Sequence, residues 1–323
     1  MSNVLVADVG GTSVRFAIGR KTRSGVAIEA FAKRSGDDFT GFEEALCAYI
    51  AELKTPPTAA CLALAGPVRD GAVTLLNRPQ WPPIAKAALQ ERFKLSRVDL
   101  FNDFEAMARG VPLSPETAFF TLAAGDSAPN APIAVTGPGT GVGVAVLLPQ
   151  DGGWRVVGGE GGHSAYTPYT DLEWEVVRVL RGAGRTFISN ELMLSGAGFD
   201  AVRQAVSTVH GAEDSKATPQ KIADMAAADD PIALDICRLR ARGVMGLAGD
   251  LVLTLGARGG AVIAGGVSQH LRAFLQEPAA LSRFFERSGR SDYMSGLPIR
   301  LLEDPNTPLL GAAALYFEGA AAG

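Results

Sequence analysis

The stretch from Val4 to Ile18, VLVADVGGTSVRFAI, constrains this chain more than any other. Val4-Leu5-Val6-Ala7 reads as a buried strand and Val14 to Ile18 as a second, joined by the tight turn Asp8-Val9-Gly10-Gly11-Thr12-Ser13. Adjacent glycines open backbone conformations closed to other residues and leave no side chain between the turn's amides and a ligand. Amides exposed in such a turn form an anion-binding concavity. A carboxylate at its lip is poorly placed unless a cation stands between it and the anion. Asp8 therefore points to Mg²⁺ held through water, since Mg²⁺ keeps several of its waters. The same residues also read as a plain β-hairpin with a capping Asp, and this stretch by itself leaves both open.

A second turn of the same kind lies far along the chain. Ala134-Val135-Thr136 leads into Gly137-Pro138-Gly139-Thr140-Gly141-Val142-Gly143 and leaves through Val144 to Leu148. Neither turn matches the P-loop, which needs Gly-Lys-Ser/Thr opening a helix, or the dinucleotide pattern G-x-G-x-x-G. Two strand–turn–strand phosphate hairpins, one per half of the chain, resemble those of the actin, heat-shock ATPase and sugar-kinase superfold. In that superfold two similar domains grip a nucleotide.

Size and composition fit this frame. At 323 residues the chain exceeds the length over which one core keeps growing, so two domains are expected. Hydrophobic residues at 47% and charged ones at 20% describe an ordinary globular protein. A net charge of -4 makes no case for a nucleic-acid surface, and Arg20-Lys21-Arg23 reads as a solvated turn. The N-terminus has no basic region before its short apolar run, so no secretory signal is expected. No apolar run approaches the roughly 20 residues a bilayer span needs. Cys47, Cys61 and Cys237 are scattered and odd in number, which predicts buried thiols in a reducing cytoplasm and no zinc cluster.

Between the hairpins, Thr40 to Leu53 is amphipathic at helical spacing, with Thr40 and Glu43 as a capping box. Ala59 to Ala65 reads as a buried strand ended by Gly66-Pro67, Pro83 to Phe93 as a helix, and Val98 to Phe101 as another strand. Asn102 and Asp103 then fall at the carboxyl end of a strand, where open α/β sheets place ligands. They also fall at the start of a short helix closing at Gly110, whose dipole favours an ionised carboxylate. Asp103 reads as a functional carboxylate or as a mere N-cap. Glu105, about 200° further round, should point away. The loop Gly125 to Pro132 is a plausible domain crossing.

Beyond the second hairpin, a strand from Trp154 to Val157 runs into Gly158-Gly159-Glu160-Gly161-Gly162-His163. Glu and His three apart occur in di-iron sites, but there they sit on helices and in pairs. Glycines around them suit a loop folded closely over a small polar ligand, or else a structural turn. Thr170 and Glu173 cap a helix reaching Arg181, Glu191 precedes Leu194-Ser195-Gly196, and Gly198 to Val209 is helical. Thr218-Pro219 opens another helix. The long helix from Pro231 to Gly256 carries Gly243, Gly246 and Gly249 for close packing. Gly260 to Ala264 is a strand ending in Gly265-Gly266, either an adenosine approach or a tight turn, with a helix from Ser268. Ile299 to Leu302 is a strand, and Pro308 to Phe317 an apolar-faced helix returning to the first domain.

Taken in order, these motifs resemble the bacterial glucokinases, the hexokinase-related family with an N-terminal DxGGTxxR turn. The resemblance rests on Asp8 to Thr12 with Arg15, Asn102-Asp103-Phe104, Gly137-x-Gly139-Thr140-Gly141-x-Gly143, and Glu160-Gly161-Gly162-His163 with Pro168. It continues through Glu191 with Leu194-Ser195-Gly196, Ala264-Gly265-Gly266, and Pro308-Leu309-Leu310-Gly311. It implies an α/β, two-domain actin-like ATPase (ribonuclease H-like) fold with a nucleotide and sugar cleft between the domains. The smaller domain would comprise 1-113 plus 304-323, and the larger 114-303.

The resemblance further implies a cytoplasmic homodimer converting glucose and ATP to glucose 6-phosphate, with Mg²⁺. Asp103 would be the catalytic base, and Asn102, Asp103, Glu160, His163 and Glu191 would hold the sugar. Asp8, Val9, Gly10, Gly11, Thr12 and Ser13 would hold ATP with Gly137, Thr140, Gly141, Gly265 and Gly266. Two positions depart from the family pattern: Ser13 stands where Asn is usual, and Asn77…Trp81 is one residue longer than N-x-x-W. No Cys follows the Gly-His motif, unlike the zinc-bearing branch of related kinases and repressors, so structural zinc is not expected. Among rivals, a sugar-responsive transcription factor would need a DNA-binding module ahead of Asp8. A filament or chaperone ATPase would not need Asn102-Asp103 with Glu160 and His163. Another hexose kinase, for mannose, fructose or an amino sugar, stays open.

Overall fold

In the computed structural model, residues 3–319 are described apart from 24 and 76. They form two units, Met1–Ala118 with Gln150–Gly158 and Asp304–Gly323, and Phe119–Pro149 with Gly159–Glu303.

The first unit is built on strands β1 (Asn3–Val9), β2 (Ser13–Thr22), β3 (Gly25–Ser35), β4 (Ala59–Leu64), a short pair β5 (Ala72–Val73) and β6 (Ile84–Ala85), and β7 (Arg97–Asn102). The main sheet runs β3-β2-β1-β4-β7. β1 pairs antiparallel with β2 and parallel with β4, which pairs parallel with β7. A strand covered on both faces reads as a continuous apolar run rather than an alternating one, and β1 is such a strand. Leu5, Ala7 and Val9 face a core that includes Phe42, Leu46 and Tyr49 of the helix Phe42–Ala51. Val4 and Val6 face Leu309, Ala312, Ala313 and Phe317 of the helix Thr307–Gly319. Phe16 stacks on Tyr49 with ring centroids 4.8 Å apart.

The helix Thr307–Gly319 crosses the helix Asp103–Gly110 at backbone contact. A Cβ at Gly311 would stand 1.8 Å from the Ala106 carbonyl oxygen, and one at Gly110 would stand 2.1 Å from that of Thr307. Two expectations shift in this unit. The helix expected from Thr40 starts at Phe42, and the Thr40 amide and hydroxyl both donate to Glu44, at 2.8 Å each, rather than boxing with Glu43. β2 continues to Thr22, so Arg20 and Lys21 are strand residues, and Arg20 pairs with Glu29 on β3. Cys61 is buried as expected, but Cys47 is exposed on the outer face of its helix.

The second unit carries β8 (Phe119–Ala123), β9 (Ile133–Pro138), β10 (Val142–Gln150), β12 (Ala261–Ile263) and β13 (Ile299–Leu302), and β11 (Gly153–Gly159) is grouped with the first unit in all but Gly159. β9 pairs antiparallel with β10 and parallel with β12, β12 parallel with β13, and β13 antiparallel with β8. The helix Pro231–Leu255 starts on the Asp230 carboxylate and ends at Gly256, whose φ of 62° suits a left-handed C-cap. Gly243 admits the Leu194 side chain, and Gly246 and Gly249 admit Arg283 and Arg287, so the spaced glycines serve packing. The helix after β12 begins at Gly266, not Ser268. Among the described residues, no helix is long and apolar enough to cross a membrane.

Candidate active site

In the first unit the β1–β2 turn is closed by the Gly10 amide donating to the Ser13 carbonyl at 3.1 Å. The hairpin register sets Asp8 opposite Arg15, and cross-strand neighbours on one face interact. The Arg15 Nη1 donates to Asp8 Oδ2 at 2.6 Å, with Asp8 itself buried. The cation in contact with Asp8 is thus Arg15. Burial pushes the Asp8 carboxyl up, and the Arg15 charge and hydrogen bond pull it back only in part.

A carboxyl whose pKa is raised on folding contributes stability at low pH that is lost as pH rises through the folded value. Asp8→Asn removes that loss. In metal-free buffer the variant should melt at or above the wild-type temperature at pH 8, and the difference should shrink as the pH is lowered. A variant that melts lower at pH 8 would show the Asp8–Arg15 pair to be net stabilising instead.

β7 ends at Asn102, which has extended backbone (φ -64°, ψ 142°) and caps the helix Asp103–Gly110. Its Oδ1 accepts from the amides of Phe104 at 2.9 Å and Glu105 at 3.4 Å, and its Nδ2 reaches the Gly66 carbonyl at 3.5 Å. The capping role belongs to Asn102, and Asp103 is the first residue of the helix, half-buried at its positive end. Glu105 lies against β11, where a Cβ at Gly158 would stand 2.6 Å from its Cγ. Asn77 is exposed, while Trp81 is buried and donates to the Phe39 carbonyl. Between them Arg78 is buried against Gly36, with its guanidinium 4.9 Å from the Trp81 ring centroid and 3.1 Å from Asp37 Oδ1.

In the second unit the two glycine-rich stretches meet. A Cβ at Gly137 would stand 1.8 Å from the Ala264 carbonyl oxygen, and one at Gly265, where φ is 86°, would stand 2.4 Å from that of Pro138. The Ala264 amide donates to the Thr136 carbonyl at 2.8 Å. The turn and the Gly265-Gly266 junction therefore share one edge. Among the described residues, nothing beyond the adjoining backbone lies within 4 Å of where a Cβ would stand at Gly139 or Gly266, so the backbone there is open to a ligand.

Glu160, His163 and Glu191 also come together. His163 Nε2 lies 3.9 Å from Glu160 Oε2 and 3.8 Å from Glu191 Oε1. Gly161 and Gly162 make this possible by packing on β10, where a Cβ at Gly162 would stand 2.2 Å from the Val142 carbonyl oxygen. Both glycines pack closely against β10. The Asn190 amide ties the Glu191 helix (Asn190–Leu194) to this loop through Ser164 Oγ at 3.0 Å.

Sequence reasoning missed Arg240. It is buried in the helix Pro231–Leu255 and donates to the carbonyls of Leu194 at 2.6 Å and Ser195 at 2.9 Å. Burial pushes its pKa down to about 10. The available signal was a cation on the apolar face of a long helix. Among the described residues, no group of three or more His, Cys, Asp or Glu side chains is placed to hold a metal ion.

Solved structures of similar architecture fix the class. A glucokinase from an Antarctic psychrotroph superposes with a TM-score of 0.86 at 30% identity, over 98% of this chain and 99% of that one. A glucokinase from Balamuthia mandrillaris in complex with glucose gives 0.80 at 23% identity, over 97% and 92%. A ROK family glucokinase from Streptomyces griseus in complex with glucose and AMPPNP gives 0.63 at 18% identity, over 97% and 99%, a likeness of fold. The chain has the actin-like ATPase fold of the sugar kinases.

Within that class the match is particular. A glucokinase family model matches residues 5–318. The glucokinase of Chromobacterium violaceum is 34% identical over 96% of this chain and 88% of its own length, and that of a Caulobacter species 33% over 98% and 96%. The chain belongs to the glucokinase family.

Proposed function

We propose that this chain transfers the γ-phosphoryl group of ATP to the primary hydroxyl of glucose, giving glucose 6-phosphate and ADP. The supporting observation is that Glu191 belongs both to the Glu160–His163–Glu191 cluster and to the Gly139–Thr140 turn, whose Val142 amide it accepts at 3.1 Å. A cluster that suits a polyol thus adjoins a turn that suits a phosphate, as phosphoryl transfer between the two requires.

In this reading Asn102, Glu160, His163 and Glu191 hold the sugar hydroxyls. Asp103 accepts the proton of the attacking hydroxyl, a role that needs hydrogen-bond reach of about 2.6–3.2 Å. The amides of Gly10 to Ser13 and of Gly137 to Gly141 hold phosphate oxygens, and Gly265-Gly266 lies along the adenosine. Phosphoryl transfer asks mainly for positioning and charge neutralisation. Asp8 would be the carboxylate toward a Mg²⁺ bound with the nucleotide, and such an ion would supply part of that neutralisation. Cytoplasmic location and assembly as a homodimer belong to the same reading.

A coupled assay across a hexose panel tests the substrate. Glucose should give the highest kcat/KM; faster turnover of mannose, fructose or an amino sugar would replace glucose in this reading. Activity should survive a zinc-selective chelator and vanish when Mg²⁺ is withheld. Stoichiometric transition metal in active enzyme, measured by elemental analysis, would contradict a purely sugar-binding role for Glu160, His163 and Glu191.

A further inference from the structure

Glu191 does more than face the cluster. Its Oε2 sits inside the turn, where a Cβ at Gly141 would stand 2.7 Å away, and accepts the Val142 amide at 3.1 Å. Its Oε1 points the other way, toward His163. The backbone that follows is clamped to the same turn. The Gly196 amide donates to the Gly139 carbonyl at 2.8 Å and the Ala197 amide to that of Thr140 at 3.1 Å. Arg240 holds the carbonyls of Leu194 and Ser195 from behind. Of these bonds to the turn, the Glu191 bond alone is made by a side chain that also faces His163, so it is the one a bound sugar can change.

We propose that Glu191 is a positioning residue for the phosphate turn, and that sugar and nucleotide occupancy are coupled through its two carboxylate oxygens. The proposal rests on the reading of the cluster as the sugar site and the turn as a nucleotide site. A sugar hydroxyl on Oε1 fixes the rotamer that keeps Oε2 on Val142. The turn is then held in the shape that receives phosphate before nucleotide arrives. Coupling of this kind is reciprocal: what the sugar does for the nucleotide, the nucleotide does for the sugar.

Calorimetry with ADP and no sugar isolates the positioning role. Leucine lacks an acceptor and leaves the Val142 amide unpaired, whereas glutamine keeps an acceptor oxygen without the charge. Glu191→Leu should bind ADP roughly tenfold more weakly than wild type, about what one lost hydrogen bond to a constrained amide is worth. Glu191→Gln and the control Glu160→Gln should bind ADP as wild type does. A Glu191 that served the sugar alone would leave all three unchanged.

The reciprocal measurement uses glucose and no nucleotide. Gly141→Ala lies on the phosphate turn, yet its methyl group displaces the Glu191 carboxylate, so glucose affinity should fall by several-fold. Wild-type ADP affinity in Glu191→Leu, or wild-type glucose affinity in Gly141→Ala, overturns the proposal while leaving the functional reading intact. A wild-type chain that binds neither glucose nor ADP overturns the functional reading, and the proposal with it. Gly141→Ala displaces the Glu191 carboxylate without removing it, so the link between turn and cluster is tested even if Glu191→Leu folds poorly.

Discussion

Asp103→Asn should fold as the wild type, bind glucose, and turn over roughly 10²–10⁴-fold more slowly, the usual worth of a positioned general base. The substitution is close to isosteric, and Asn102, which caps the helix, is untouched. As an acid in the first turn of the helix, Asp103 adds about 0.3–1 kcal/mol through the helix dipole. A melting temperature close to wild type beside a collapsed kcat would therefore separate chemistry from capping. Glu105→Gln is the control, because Glu105 lies against Gly158, and its turnover should be almost unaffected. If Asp103→Asn retains near-normal kcat, Asp103 is a helix-terminal acid and another group takes the proton.

The largest loss of stability should come from Gly311→Ala, a change of one methyl group. That methyl would stand 1.8 Å from the Ala106 carbonyl oxygen and 2.7 Å from the Gly110 nitrogen. Both neighbours are helix backbone and cannot rotate aside, so the two helices must separate. Overpacking costs about 1–3 kcal/mol where side chains can adjust. Here the cost should reach the top of that range or exceed it, lowering the melting temperature by on the order of 10 °C. Gly182→Ala is the comparison: it ends a helix and its added methyl meets nothing within 4 Å. It should be neutral or stabilising by up to about 1 kcal/mol. Equal melting curves for the two variants would refute this account of the crossing.

What the sequence made legible follows from periodicity. β1, β4, β7 and β13 are short apolar runs that can be read without their neighbours, and all lie within a residue or two of where they were expected. What it hid depends on partners distant in the chain. Gly10-Gly11 and Gly161-Gly162 look alike in sequence, yet Gly161 and Gly162 are fixed by β10. Thr40 could box with the carboxylate three or four residues on, and only the geometry of helix entry chose Glu44. Arg240 could be noticed as a cation on an apolar helix face, but its role could not be read, because its partners are main-chain carbonyls, which leave no mark in the sequence. Asp8 was visible as a carboxylate, but its pairing with Arg15 needed the hairpin register.

The helix Thr307–Gly319 covers the face of β1 and β4 formed by Val4, Val6, Cys61 and Ala63. On the ribosome this has an order in time. β1 to β7 emerge first, with one face of the sheet finished and the other covered only in part by the helix Asp103–Gly110, and they wait through the synthesis of the whole second unit for the rest of their cover. The second unit, Phe119–Pro149 with Gly159–Glu303, has by then emerged complete. The unit whose strands are made first is thus the last to close, and its apolar face is most exposed to other nascent chains during that interval.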